Sequence, residues 1–138
     1  MRDIAPEVVS IADACLGGLY GRSALLVGDE EYQLLYNQLL LHAGMKTVYQ
    51  ENTPLHVPTL LSKVQLFINM PAEARRDSVS NAPIVTAAMV AKGCERRRTP
   101  LLIFDLASTP SVEELAGLLP SVCLYTPQDL SRILVKAR

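Results

Sequence analysis

The chain has 138 residues, of which 49% are hydrophobic and only 5% aromatic, and its formal net charge is -1. This length predicts one domain over residues 1–138 with an aliphatic core, and it excludes two ordinary domains. The near-zero charge provides no long-range field to attract nucleic acid or an anionic membrane surface, so neither is expected as a partner.

The N-terminus lacks the apolar run of a signal peptide, and no stretch of about 18 apolar residues occurs. Cys15, Cys94 and Cys123 are widely spaced, without the close pairs of a zinc site or the density of a disulfide scaffold. We therefore expect a soluble, cytoplasmic protein with reduced thiols and no metal site.

Helices and strands are predicted to alternate in the first half of the chain. The predicted elements are a helix over 5–19, a strand over 24–28, a helix over 30–42 and a strand over 46–50. Residues 1–22 thus form an N-terminal helix that leads into the sheet, and Gly44 supplies the left-handed stop of the second helix. The strand, helix, strand order is a βαβ unit, whose crossover should be right-handed.

The second half continues the alternation. Its predicted elements are a short helix over 54–64, a strand over 66–69, a flexible loop over 70–81, a helix over 86–92 ended by Gly93, and strands over 101–105 and 122–125. Ser111 and Glu114 have the spacing of a capping box, and the short helix that they would begin is closed by Pro120. Thr126 and Pro127 predict the start of the last helix.

Five strands alternating with helices predict an α/β fold over 23–138. The sheet should be open, mostly parallel and five-stranded, with helices on both faces, as in Rossmann-like domains. In such a sheet, ligands bind at the carboxyl ends of the strands, and the first strand-to-helix turn holds the phosphates.

That turn departs from the G-x-G-x-x-G pattern that binds dinucleotides. Gly28 occupies the first glycine position, but Glu30 and Gln33 occupy the second and third. Side chains there obstruct close approach of a pyrophosphate, and nearby carboxylates each add a repulsion on the order of 1 kcal/mol or more. Acids in a first helical turn also complement the helix dipole, and an acidic turn that recruits a cation or basic surface is the functional alternative.

Two further acidic residues stand at predicted strand ends. Glu51 lies where an acid hydrogen-bonds the adenosine ribose in nucleotide-binding domains, but because the partner glycines are missing, a solvated carboxylate at the strand end is the favoured interpretation. Asp105 follows the fourth strand and would either cap the next turn or face the cleft.

No catalytic residue is predicted. His42 and His56 have no Ser or Cys at a spacing that fixes a dyad, and both are expected to be structural or surface residues. The run over 95–98, ERRR, is expected to be a solvated loop, with docking onto an acidic or RNA surface as the alternative.

Several segments resemble a known family. YGRSALLVG at 20–28, PIVTAAMV at 83–90, PLLIFDLA at 100–107, and VCLY at 122–125 followed by Asp129 and Leu130 occur in the order and spacing found in the NADPH-binding domain of glutamyl-tRNA reductase. That enzyme is the first committed enzyme of one route to tetrapyrroles. The resemblance spans nearly the whole chain but only one of the enzyme's three domains. It implies that the catalytic domain, with its nucleophilic Cys and tRNA recognition, and the helical dimerisation domain are absent here.

The resemblance also implies the cofactor-binding positions. These are Gly28, Glu51, Asn69, Asp105 and Ala107. Gly28 matches the first glycine, and Asp105 and Ala107 match a segment of both structural and binding value. Glu51 replaces an Arg that favours the 2′-phosphate of NADPH, and Asn69 replaces a small hydroxyl residue beside the nicotinamide.

We therefore expect a stand-alone, non-catalytic relative of this domain, with impaired dinucleotide binding and no bound cofactor. It would act as an interaction or regulatory module in tetrapyrrole biosynthesis, and its apolar helix faces predict a homodimer or another protein partner. One alternative is an NADP(H)-binding subunit of a glutamyl-tRNA reductase-type oxidoreductase. The other is a binder of a different small ligand in the same cleft.

Overall fold

The computed structural model describes residues 4–70, 84–107 and 110–137. Five strands form one parallel sheet in the order β2-β1-β3-β4-β5. The strands are β1 (Ser23–Val27), β2 (Thr47–Glu51), β3 (Leu66–Asn69), β4 (Leu101–Asp105) and β5 (Val122–Tyr125). The helices are α1 (Ala5–Leu16), α2 (Glu30–His42), α3 (Val57–Leu60), α4 (Ala87–Gly93) and α5 (Pro127–Ala137). Short 3-10 helices span Pro54–His56, Leu61–Lys63 and Glu114–Leu118.

Helices cover both faces of the sheet, so the predicted Rossmann-like α/β fold is confirmed. Along β1, the side chains of Ala24 and Leu26 join α1, α2 and α5 in one hydrophobic core, whereas Leu25 and Val27 join α3 and α4 in the other. This alternation follows from the pleat of a strand buried on both sides. Accordingly, every residue of the central strands β3 and β4 is buried.

The predicted elements agree closely with the structure. Helix α2 and strands β3, β4 and β5 begin and end at the predicted residues. The ends of the other elements differ from the prediction by one to three residues. Over 54–64, the predicted helix is a short α-helix flanked by 3-10 turns. Thr126 caps α5 as predicted: its hydroxyl accepts from Asp129 N–H at 3.1 Å, while the Asp129 carboxylate accepts from Thr126 N–H at 3.0 Å. Apart from Met70, the predicted loop 70–81 lies outside the described residues.

The predicted capping box at Ser111 is wrong. The helix after it is a 3-10 helix that begins at Glu114, with Glu113 at its N-cap and no side-chain capping bond. The backbone of Ser111 is instead used over long range, because its N–H donates to Asp105 and its carbonyl accepts from Ile84 and Val85. These bonds bring the approach to α4 beside the end of β4.

Gly93 ends α4 as predicted, and a Cβ there would lie 2.6 Å from Leu61 Cβ, so this glycine also allows close packing. One other expectation needs correction. Within the run 95–98, Arg97 is not simply solvated, since its guanidinium donates to the carbonyls of Leu61 at 2.8 Å, Pro100 at 3.2 Å and Val64. Arg97 thereby joins the loop after α4 to the chain before β3.

In the described residues, every helix is too short or too polar to cross a membrane.

Candidate functional site

The candidate site lies at the carboxyl edge of the sheet, where β1 has β2 on one side and β3 on the other. The chain leaves β1 into α2 and returns as β2, whereas β3 pairs with the opposite edge of β1. Such a switch in strand order opens a crevice between the loops that follow the strands. The residues of interest lie at these strand ends. Gly28 directly follows β1, and the last residues of β2, β3 and β4 are Glu51, Asn69 and Asp105.

Gly28 holds the ends of three strands together. Its N–H donates to the carbonyl of Glu51 at 3.0 Å, and its φ of 139° is one that side chains rarely allow. A Cβ at this position would lie 2.7 Å from the carbonyl oxygen of Met70, directly after β3. Packing against the neighbouring strand therefore requires glycine here independently of any ligand.

Gln33, at the third glycine position of the motif, lies buried beneath the turn. Its side-chain amide donates to the carbonyls of Gly28 and Glu51, each at 2.7 Å. A glycine would leave this space for close packing between helix and strand, whereas the glutamine amide fills it and links the ends of β1 and β2. Sequence reasoning identified the bulk of Gln33 but missed this bonding role, which a buried amide needing acceptors could have signalled.

The N-terminus of α2 is capped by the chain's own carboxylate. Asp29 is the N-cap, and its side chain accepts from the N–H of Glu31 at 3.3 Å. Glu30 and Glu31 are exposed in the first turn, where they complement the helix dipole as predicted. The position where a helix N-terminus would bind a phosphate thus already holds a negative charge.

Glu51 contacts a histidine that the sequence analysis did not associate with it. His56 Nδ1 lies 2.6 Å from Glu51 Oε1, and the two side chains are 59% and 30% exposed, respectively. Glu51 also lines an open depression between α2 and the end of β2, together with Glu30, Glu31, Gln33, Leu34, Gln50 and Asn52. Among the described residues, three glutamates and no lysine or arginine line this depression, so the charge of this lining disfavours a phosphate.

Asp105 caps the segment that follows β4. One carboxylate oxygen accepts from the N–H groups of Ser111 at 2.7 Å and Val112 at 2.9 Å, and the other accepts from Ala107 N–H at 3.3 Å. Burial raises the pKa of Asp105, and the backbone donors partly oppose that shift. Of the two roles considered for Asp105, the structure shows the capping role.

Asn69 lies beside Asp105 in the sheet register and is buried. Its side-chain Nδ2 has no partner in hydrogen-bonding geometry among the residues that the structure describes. The five predicted positions therefore fall into two groups: Gly28 with Glu51, and Asn69 with Asp105 and Ala107. Both groups are joined mainly through backbone contacts, which is typical of residues that shape a turn.

In the ranges 4–70, 84–107 and 110–137, no group of three His, Cys, Asp or Glu side chains is arranged to hold a metal ion.

Comparison with known proteins confirms the resemblance to glutamyl-tRNA reductase. The chain is 28% identical to glutamyl-tRNA reductase of Methanospirillum hungatei over 148 aligned residues, which cover 94% of this chain and 35% of that protein. The chain thus spans about a third of the length of the curated relatives that it matches. No family model matches it.

Solved structures show the same fold. Glutamyl-tRNA reductase from Methanopyrus kandleri superposes with a TM-score of 0.77 at 21% identity, over 96% of this chain and 37% of that one. A dipicolinate synthase from Bacillus halodurans gives a TM-score of 0.66 at 15% identity, over 99% of this chain and 56% of that one. At these identities, the structural likeness supports the fold alone.

Proposed function

We propose that this chain is a non-catalytic relative of the Rossmann-like part of glutamyl-tRNA reductase, which acts as an interaction or regulatory module in tetrapyrrole biosynthesis and does not bind NADP(H) in the ordinary pose. The observation that carries this proposal is the turn after β1, where the Asp29 carboxylate accepts the Glu31 N–H and the Gln33 amide donates to the carbonyls of Gly28 and Glu51. The pathway follows only from the name of the relatives.

The residues of the turn do not fit a dinucleotide. The Asp29 carboxylate already accepts a backbone N–H at the N-terminus of α2, where a phosphate would otherwise be bound. The Gln33 amide donates to the carbonyls of both Gly28 and Glu51, so its side chain fills the space that the third glycine of the motif would leave. A pyrophosphate would have to displace the Asp29 carboxylate and approach the carboxylates of Glu30 and Glu31, which carry charge of the same sign.

The adenosine side of the crevice is equally unsuited to NADP(H). Glu51 is an acid at the end of β2, where its charge would repel a 2′-phosphate, and Glu30 and Glu31 line the same depression. An acid at this position accepts hydrogen bonds from the diol of the adenosine ribose, which NADH has and NADPH lacks. Titration with NADH is therefore a more demanding test of the proposal than titration with NADPH.

Isothermal titration calorimetry with NADPH, NADH and adenosine tests the proposal. We expect no dissociation constant for NADPH below about 1 mM, corresponding to roughly 4 kcal/mol of binding free energy. Micromolar binding of NADPH would favour the alternative of an NADP(H)-binding subunit. Binding of adenosine without either dinucleotide would favour a different small ligand in the cleft.

A double variant identifies the turn as the cause. Replacing Glu30→Gly together with Gln33→Gly restores the glycine pattern, and we expect measurable dinucleotide binding to appear. The matched control is Glu30→Gly with Gln128→Gly on α5, which has the same number of helix glycines but keeps the Gln33 amide in place. Circular dichroism establishes that both proteins are folded before they are titrated. Equal affinities in the two variants would contradict the role assigned to Gln33.

A further inference from the structure

Strand β2 is an open edge of the sheet. Among the described residues it pairs with β1 alone. Gly28 N–H donates to the Glu51 carbonyl, so the backbone groups of Glu51 face β1. Because these groups alternate in direction along a strand, the N–H and C=O groups of Val48 and Gln50 point away from the sheet. An unpaired row of this kind is a template for another strand.

An apolar stripe of α2 runs along the same edge. Leu34 and Leu41 lie on one face of the helix with the polar Gln38 between them, and the two leucines are 60% and 48% exposed. Leu34 lines the depression together with Gln50 and Glu51, which places the stripe beside β2. Leucines exposed to this degree on a helix next to an open strand favour a protein contact.

The charges along this edge are arranged with opposite signs at its two ends. Glu30, Glu31 and Glu51 lie at the carboxyl end of β2, and the exposed Lys46 precedes its amino end. If β2 of a second copy ran antiparallel to this β2, its Lys46 would lie beside the glutamates of the first copy. The edge is therefore complementary to itself under a two-fold rotation.

We propose that β2 pairs antiparallel with β2 of a second copy of this chain, which joins the two sheets into one. With Tyr49 on the two-fold axis, Val48 and Gln50 of each copy exchange backbone hydrogen bonds with Gln50 and Val48 of the other. The same register sets Lys46 opposite Asn52 of the second copy, next to its Glu51. The axis is perpendicular to the sheet, so both α2 helices lie on the same face and bring their leucine stripes together, antiparallel.

This inference deepens the proposed interaction role and rests on it, since it names the partner of the module. It also follows that the dimer would cover Gln50 and Leu34, the outer wall of the depression beside Glu51. Dimerisation and cofactor binding are measured by separate methods, so either proposal can fail without the other.

The first test is the mass in solution, by light scattering and sedimentation at about 1–100 μM. We expect a species of twice the 15.1 kDa chain mass. Gln50→Pro removes an N–H that faces outward, so the pairing of β2 with β1 is retained and at least a tenfold loss of dimer affinity is expected. Gln50→Ala keeps that N–H and should remain dimeric. A strict monomer at 100 μM, or a dimer that Gln50→Pro leaves unchanged, would overturn the proposal.

A second pair of variants covers the case in which proline disturbs the strand. Leu34→Asp should reduce dimer affinity at least tenfold, because it charges the stripe. Leu118→Asp changes a leucine that is 78% exposed on the 3-10 helix beside β5, at the opposite edge of the sheet, and should have no effect. Equal loss of affinity in both variants would contradict an interface at β2.

The register is tested by disulfide trapping in a variant with Cys15, Cys94 and Cys123 replaced by Ser. Tyr49→Cys places two thiols opposite each other on the axis. Oxidised glutathione should therefore join them in a disulfide, while it is itself reduced to two molecules of glutathione. Gln50→Cys faces Val48 of the second copy and should cross-link at least tenfold more slowly. Faster cross-linking through residue 50 than through residue 49 would refute this register.

Discussion

The buried amide of Gln33 gives the sharpest prediction about stability. In Gln33→Leu the side chain keeps a similar volume but donates no hydrogen bond. The Gly28 carbonyl, buried and paired with the Gln33 amide, would be left without that donor, whereas the Glu51 carbonyl would keep the N–H of Gly28. The two carbonyls should therefore be affected unequally.

The magnitude follows from that difference. A buried carbonyl left without its donor costs roughly 1–3 kcal/mol, and loss of one of two bonds costs about 1 kcal/mol, so the free energy of unfolding should fall by roughly 2–4 kcal/mol. For a domain of this size, 1 kcal/mol corresponds to about 3–5 °C in Tm, which predicts a decrease of roughly 6–20 °C.

Urea unfolding followed by circular dichroism measures this loss, and an unchanged slope with denaturant shows that the unfolding reaction is the same. Gln128→Leu is the control, because Gln128 is exposed on α5, which packs on β5 at the opposite edge of the sheet, and its replacement should change stability by no more than about 0.5 kcal/mol. If Gln33→Leu also costs less than about 0.5 kcal/mol, the Gln33 amide does not hold the turn and our account of the site is wrong.

Three other variants test separate parts of the fold. Gly28→Ala should cost roughly 3 kcal/mol or more in urea unfolding, since its Cβ would meet the carbonyl of Met70; an intact Tm would contradict this packing role. Arg97→Met should cost about 3 kcal/mol by the same method, because a charged donor to three carbonyls is lost, whereas the exposed Arg98→Met should be nearly neutral. Burial raises the pKa of Asp105, so the folded protein keeps this proton to higher pH than the unfolded chain does. The stability from this group is complete below the ordinary aspartate pKa of about 4 and is lost as the pH rises through the folded pKa. Stability relative to Asp105→Asn should therefore fall as the pH is raised, and a difference independent of pH would refute this assignment.

The fold was predictable because its signals are local. The strand over 66–69 is a continuous apolar run, and α2 has acids in its first turn and a glycine two residues after its end. The capping pair that forms, Thr126 with Asp129, is also contained within one turn. Such features depend on residues that are close in sequence, so they can be predicted without knowledge of the long-range contacts.

The site was less predictable because its bonds join distant segments. Ser111 has the sequence of a capping residue, but the Asp105 carboxylate binds its N–H and orders the segment differently. In the same way, Arg97 occurs in a charged run that suggests a solvated loop, yet its guanidinium bonds to carbonyls more than thirty positions earlier in the chain. The pairing of Gln33 with Glu51 likewise required β1 and β2 to be adjacent.

The close contact between Gly28 and Met70 affects how glycine fingerprints should be interpreted in general. A glycine at the head of such a motif is ordinarily taken to mark a ligand, yet in this molecule the backbone of an adjoining strand alone excludes any larger residue. A glycine at the head of such a motif is therefore not by itself evidence of a nucleotide site, because packing against a neighbouring strand can require it.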